Sequence, residues 1–337
     1  SLYSYAHEWA ALHGQLPEAQ GADALPVWEE GGTLTPELLQ SFLRDPVKCF
    51  FTRRLKVHLD EQAQRQLDSE PFALDGLQRY QLQERLLKAA LLAEEEAPEA
   101  ALTVAAERLR RSGVLPLAGF GEQYRQALLA PLPAQVLRYR ALAERWPHTL
   151  ESPLPLYFVQ ADVLLDGWLN GLRRNADGAL ASLQAVPGAL AKEGVWKWHR
   201  LLRPYVLHVI AAACELPLTT LLVGEDRSLA FDPVPAEQAR EILTAWLQGW
   251  GEGMRAPLPV ALKTSLAWLH DGNEDKARAV YEGGFNMTGE VAGSASLTRQ
   301  FPDFTCLTAD GAFAEWSERL YRPLLDSAPR ALEEVQP

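Results

Sequence analysis

Between Leu154 and Val186 the chain alternates apolar and polar residues, and this run constrains the fold more than any other feature. A period of two belongs to strands with one face buried. Turn signals at Asp166-Gly167 and Asn175-Ala176-Asp177-Gly178 divide the run, so two hairpins or three successive strands are expected. Leu216–Val223 and Ser228–Phe231 add two more strands around a Gly224-Glu225-Asp226 turn. Everything on either side is helical in pattern. Helices, then a short sheet, then helices predict an α+β fold with one central mixed sheet flanked by helices, plus additional helical segments.

The helical parts carry their own signals. Thr35-Pro36-Glu37 places a capping hydroxyl before a proline at the first helical position, and Leu38, Leu39, Phe42 and Leu43 make one apolar face. Pro46 bends or ends that helix. Leu77–Glu95 reads as a helix whose acidic end, Glu94 to Glu96, opposes the macrodipole and so is expected beyond the last turn. Thr103–Ser112 and Glu122–Trp146 follow, the latter divided by Pro131 and Pro133. Lys192–Cys214 is a buried helix with Pro204 inside it. Ala239, Ile242, Leu243, Trp246, Leu247 and Trp250 recur at the clearest helical spacing, and Gly249–Gly253 after them reads as termination by glycine. Residues 1–33, with Tyr3 and Tyr5, form a lead-in from a preceding part of a longer polypeptide. Residues 34–337 form the domain.

The chain has 337 residues and a formal net charge of -12, so any contact with nucleic acid rests on local basic patches. Cys49, Cys214 and Cys306 are far apart, which argues against zinc and disulfides and fits a reducing, cytoplasmic setting. No apolar run approaches the roughly 20 residues that span a bilayer, and no membrane partner is expected.

Chemistry is sparse. Metal-dependent phosphodiester cleavage needs carboxylates and a lysine at the ends of adjacent strands. The strands offer Asp162, Asp166 and Asp177, and the last two sit in turn signals. His199 and His208 share a predicted helix but do not face a common metal. No phosphate loop, nucleophile elbow or dinucleotide fingerprint is present. No cofactor is expected. Basic residues beside aromatics are more suggestive: Arg53, Arg54 and Lys56 after Phe50 and Phe51, Arg173 and Arg174 near Trp168, and Lys197 and Arg200 among Trp196, Trp198 and His199. Ten tryptophans also suit a large partner interface.

Five stretches in order, LTPELLQSFLRDPVKCFFTRRL, LDSEPFALDGLQRYQL, LQGWGEGMRAPLPV, KARAVYEGG and FAEWSERLYRPLL, resemble the C-terminal domain of the RecC family, the gamma subunits of exodeoxyribonuclease V. The resemblance implies a degenerate PD-(D/E)XK fold like the RecB nuclease. That nuclease pattern wants a histidine in the Leu77–Leu91 helix, where none lies. Its Gly-x-x-Asp finds Gly171-Leu172-Arg173-Arg174, its Asp-x-Lys finds Gln184-Ala185-Val186, and its Gln-x-x-x-Tyr finds Leu201 with Tyr205. Some relatives clamp the leading helix with an iron–sulfur cluster, whose cysteine position here is Asp45; Cys306 alone remains near the C-terminus, so the cluster is excluded by count. The implied role is a non-catalytic scaffold of the RecBCD helicase–nuclease in double-strand break repair, with RecB and RecD as partners and double-stranded ends and forked or single-stranded DNA as ligand. An active metal-dependent nuclease using Asp162, and a protein-interaction domain without DNA contact, are the competing readings.

Overall fold

The computed structural model describes residues 24–28, 33–59, 76–93, 95–112, 125–160, 163–284 and 287–332. Tyr3, Tyr5, Glu94 and Asp162 lie outside the described residues, as does most of the lead-in.

The leading stretch folds as its capping residues dictate. Helix α1 (Pro36–Arg44) starts with the Thr35 hydroxyl accepting from the Leu38 N–H. It stops at Asp45, whose carboxylate caps the next turn, α2 (Pro46–Cys49). A five-residue π-helix, Phe50–Arg54, continues from it. Helices α3 (Gly76–Leu92), α4 (Pro98–Arg111) and α5 (Leu132–Arg145) follow. As expected, Glu95 and Glu96 lie past the end of α3, exposed. Leu86, Leu87, Leu102, Leu128, Leu132 and Val136 give these helices a small core of their own.

The strands come next: β1 (His148–Thr149), β2 (Leu154–Gln160), β3 (Val163–Leu169), β4 (Leu172–Arg174) and β5 (Leu180–Ala185). The small hairpin β6 (Ala191–Lys192) and β7 (Val195–Trp196) leads into α6 (Trp198–Ala213). Lys192–Trp196 is therefore a hairpin and not the first turns of the helix; Gly194, at φ +81, supplies the tight turn. Strands β8 (Leu218–Val223) and β9 (Ser228–Phe231) then precede α7 (Ala236–Gly253). Helices α8 (Leu262–Asp271) and α9 (Glu274–Glu282), the two-residue strands β10 (Gly283–Gly284) and β11 (Met287–Thr288), helices α10 (Ala295–Gln300), α11 (Phe304–Thr308) and α12 (Ala312–Asp326), and strand β12 (Arg330–Leu332) complete the order.

Six strands form one mixed sheet in the order β1-β4-β5-β8-β9-β12. Only β5 and β8 are parallel, joined through α6; the other neighbours are antiparallel. Alternation assigns the two faces. Leu218, Leu222, Leu229 and Phe231 join Val206, Ile210 and Trp246 in the main core on the α6 side, while Ala181, Leu183, Leu221, Val223 and Ala230 pack under Leu142 of α5. Strands β2 and β3 pair only with each other, apart from a bridge at Leu34, whose N–H donates to Leu164 O at 2.9 Å.

Two glycine readings change. Asp166-Gly167 is not a turn: both residues lie inside β3, opposite Tyr157 and Leu156. Gly167 is needed because a Cβ there would stand 2.5 Å from Pro36 Cδ, where α1 crosses the hairpin. Likewise Gly249 lies inside α7, which runs on to end at Gly253. A Cβ on Gly249 would meet Leu320 Cδ2 at 2.8 Å, and one on Gly253 would meet Phe42 Cε2 at 2.6 Å. These glycines let α12 and α1 pack close against α7.

Candidate nucleic-acid interface

Arg53, Arg54 and Lys56 do not form an aromatic–basic platform with Phe50 and Phe51. Both phenylalanines are buried, edge to face at 5.9 Å, in the core that α2 shares with α9 and α12. The π-helical turn aims them inward. Arg54 Nη2 donates to Pro26 O at 2.8 Å, and Lys56 Nζ lies 6.0 Å from the centre of the Trp28 ring. Arg54 and Lys56 thus hold the 24–28 segment against the domain, and Arg53 stays exposed.

Arg173 and Arg174 are adjacent in β4, so they project from opposite faces of the sheet. Arg173 turns to the α5 side, where its Nη1 donates to Trp146 O at 2.9 Å. Arg174, exposed, flanks the turn closed by Asn175, whose side-chain oxygen accepts from the Ala179 N–H. Trp168 is 57% exposed and sits on the outer face of the β2–β3 hairpin with Tyr157 and Val159, 64% and 53% exposed. That face is largely apolar, with exposed Asp166 set opposite Tyr157. Most other tryptophans are core: Trp246 and Trp250 are buried, and Trp28, Trp196, Trp198, Trp268 and Trp316 pack partly buried against the main core.

The strand positions of the nuclease pattern do not converge as the sequence alone suggests. Arg174 pairs with Leu180 at the turn end of the β4–β5 ladder, and Leu172 pairs with Ser182. Gln184 lies two residues further along β5, beyond the last β4 partner, so Arg174 and Gln184 do not stand opposite each other. Gln184 Nε2 donates to Ser182 Oγ at 2.9 Å. Tyr205 donates to Pro323 O at 2.8 Å, and burial raises its phenol pKa, so it acts as a structural tie between α6 and α12.

The carboxyl ends of the parallel pair, where open sheets usually leave a crevice, are closed by α5. Gln135 Nε2 donates to Val186 O and Val223 O at 2.9 and 2.8 Å, and Arg138 Nη2 donates to Gly224 O and Glu225 O. Among the described residues no three His, Cys, Asp or Glu side chains gather as a metal site. His208 is a satisfied core residue: Thr220 donates to its Nδ1 at 2.9 Å, and Nε2 donates to Asp232 O at 3.2 Å. Burial pushes its pKa down to about 4.

Lys197 and Arg200 are the predicted pair that the fold surrounds with further positive charge. Arg200 Nη1 donates to Pro187 O at 2.9 Å and lies where a Cβ on Gly188 would be. His199, two residues after Lys197, has its pKa pushed down to about 4, first by desolvation of its ring and then by Lys263, Arg200, Lys197 and Arg44. One turn on, Arg203 Nε donates to Gln40 Oε1 at 3.2 Å, tying α6 to α1. Arg44, Arg203 and Lys263 escape a reading by local sequence because they come from α1, the middle of α6 and α8. The i+3 step from Arg200 to Arg203 is the only trace of the cluster along the chain.

A family model described as the RecC C-terminal domain matches residues 31–273. The chain is 30% identical over 340 residues to the RecBCD enzyme subunit RecC of Escherichia coli (strain K12). That alignment covers 95% of this chain and 28% of the relative, so the chain spans about 28% of the relative's length.

Proposed function

The chain belongs to the RecC C-terminal domain family, and from that premise we propose that it is a non-catalytic scaffold domain of a RecBCD-type helicase–nuclease. In this role residues 34–337 are the domain and 1–33 lead into it from the rest of the subunit. It works in the cytoplasm in double-strand break repair, docks RecB and RecD, and contacts DNA where the strands part. The fold is a degenerate PD-(D/E)XK nuclease. The observation that carries the reading is the composition of the β3–β5 strand region. At the positions the resemblance matches to the pattern's two carboxylates and lysine stand Arg174, Gln184 and Val186, and none of these binds magnesium as an anion or orients a water as a lysine does. The exposed apolar face of Tyr157, Val159 and Trp168 supports docking of a protein partner. The eight basic and aromatic residues Arg53, Arg54, Lys56, Trp168, Arg173, Arg174, Lys197 and Arg200 are the proposed DNA contacts. Of these, Arg53 and Arg174 are exposed, and Lys197 and Arg200 stand at the start of α6.

The test is magnesium-dependent cleavage of linear DNA by the full-length subunit alone and with its two partners. No cleavage by the subunit alone, with cleavage restored by the partners, is expected. Cleavage by the subunit alone that disappears in Asp162→Ala would overturn the reading in favour of an active nuclease.

A further inference from the structure

Arg44, Lys197, Arg200, Arg203 and Lys263, grouped around exposed His199, have no carboxylate within salt-bridge distance among the described residues. This is unusual in a chain with 44 acidic against 32 basic residues. Elsewhere Arg227, Arg240, Arg278, Arg319, Arg322 and Arg330 each meet an Asp or Glu. Nearby carboxylates are already engaged. Asp226 accepts from the Leu190 and Ala191 N–H groups and from Arg227, and Glu225 accepts from Gln83. Glu290 accepts from the Lys263 and Thr264 N–H groups at 2.9 and 2.8 Å. Leaving several like charges together and unpaired costs stability, so such a cluster points to an anionic ligand.

Two features narrow the ligand. Lys197 occupies the N-cap of α6 without a side-chain hydrogen bond, so the helix presents uncapped N–H groups and the positive end of its dipole to the same place. Tyr80 of α3, 39% exposed, stands one turn before Gln83, which donates to Glu225 at 2.7 Å, and the Glu225 N–H donates to the carbonyl of Gly188, the residue Arg200 lies against. Cations in series beside an exposed ring match a nucleic-acid strand, whose phosphates repeat and whose bases stack. A lone phosphate needs neither the ring nor the spread over three helices.

We infer that Arg44, Lys197, Arg200, Arg203 and Lys263 form the track for the phosphate backbone of a single DNA strand, with Tyr80 as the stacking platform. This rests on the DNA-contacting role proposed above and assigns that role to one surface.

The experiment measures binding of a fluorescein-labelled 20-nucleotide oligo(dT) to the full-length subunit as a function of salt. It compares wild type, Arg44→Gln/Arg203→Gln/Lys263→Gln, and a charge-matched control, Arg240→Gln/Arg278→Gln/Arg319→Gln. Circular dichroism verifies that each folds. The track variant should bind at least tenfold more weakly, and the slope of log affinity against log salt should fall by about 2, at roughly 0.7 for each phosphate no longer neutralised. The control should follow wild type, and Tyr80→Ala should weaken binding with the slope unchanged. Wild-type binding that survives the track variant, or falls equally in the control, overturns the assignment and leaves DNA contact standing. A wild type that captures no oligonucleotide, or that binds only anionic lipid vesicles, removes both.

Discussion

Ser294 Oγ donates to Asp45 Oδ2 at 3.0 Å, across 249 residues of chain. The other oxygen of Asp45 accepts from the Lys48 N–H at 2.9 Å, so one carboxylate caps α2 and reaches the N-cap of α10. Tyr321 adds a second tie from the C-terminal helices, donating to Leu43 O at 2.9 Å. The resemblance implies a cluster cysteine at this position in some relatives. Here a polar latch joins the same two regions of the chain.

Removing that latch has a defined cost. Asp45→Ala loses a cap and a side-chain hydrogen bond, and should destabilise the domain by about 1–3 kcal/mol in urea unfolding. Ser294→Ala should cost less, about 1 kcal/mol, since its own cap bond from the Leu297 N–H is long, at 3.4 Å. The double variant should be less than additive by at least about 0.5 kcal/mol. Full additivity would mean the two residues act independently.

The glycines of α7 give a prediction with opposite signs at neighbouring positions. Gly251 has nothing within 4 Å of an added Cβ, so Gly251→Ala should stabilise by about 0.5–1 kcal/mol. Gly253→Ala places its methyl against the fully buried Phe42 ring and should destabilise by about 1–3 kcal/mol. Thermal melts of the two variants decide the matter. If both melt higher than wild type, the close crossing of α1 over α7 is wrong.

These positions also show how far the sequence could be read. Strands β8 and β9 with their turn, the α7 stripe and the capped start at Thr35 were legible because each signal is local: alternation, 3.6-residue spacing, a hydroxyl before proline. Gly167 and Gly249 differ from the local expectation for the same reason. Locally a glycine means a turn or a stop, whereas these two are set by Pro36 and Leu320, and Gly253, where α7 does end, also meets Phe42; all three partners are far away in sequence. Phe50 and Phe51 beside basic residues looked like a binding platform, but their burial follows from α9 and α12, which only the fold brings near. The basic cluster around His199 was half legible, through Lys197 and Arg200, since its other members arrive on separate helices.

Burial of His208 makes stability depend on pH in a direction that can be worked out. Its pKa falls from 6.5 to about 4 on folding, chiefly through desolvation, so between those values the unfolded chain binds more protons than the folded one. Stability is therefore full above about pH 6.5 and declines as pH falls toward 4, by up to about 3 kcal/mol from this group. His208→Gln should be less stable at pH 7, and its deficit relative to wild type should shrink toward pH 4. A constant deficit across that range would show that His208 does not titrate on unfolding.

Arg173 and Arg174 should separate in effect because β4 sends them to opposite faces. In the proposed complex with RecB and RecD, Arg174→Ala should slow unwinding of forked DNA and leave the melting temperature of the subunit unchanged. Arg173→Ala should lower stability by about 1 kcal/mol, through loss of its bond to Trp146 O, and slow unwinding less than Arg174→Ala does. Unwinding at the wild-type rate in Arg174→Ala would remove this turn from the DNA path.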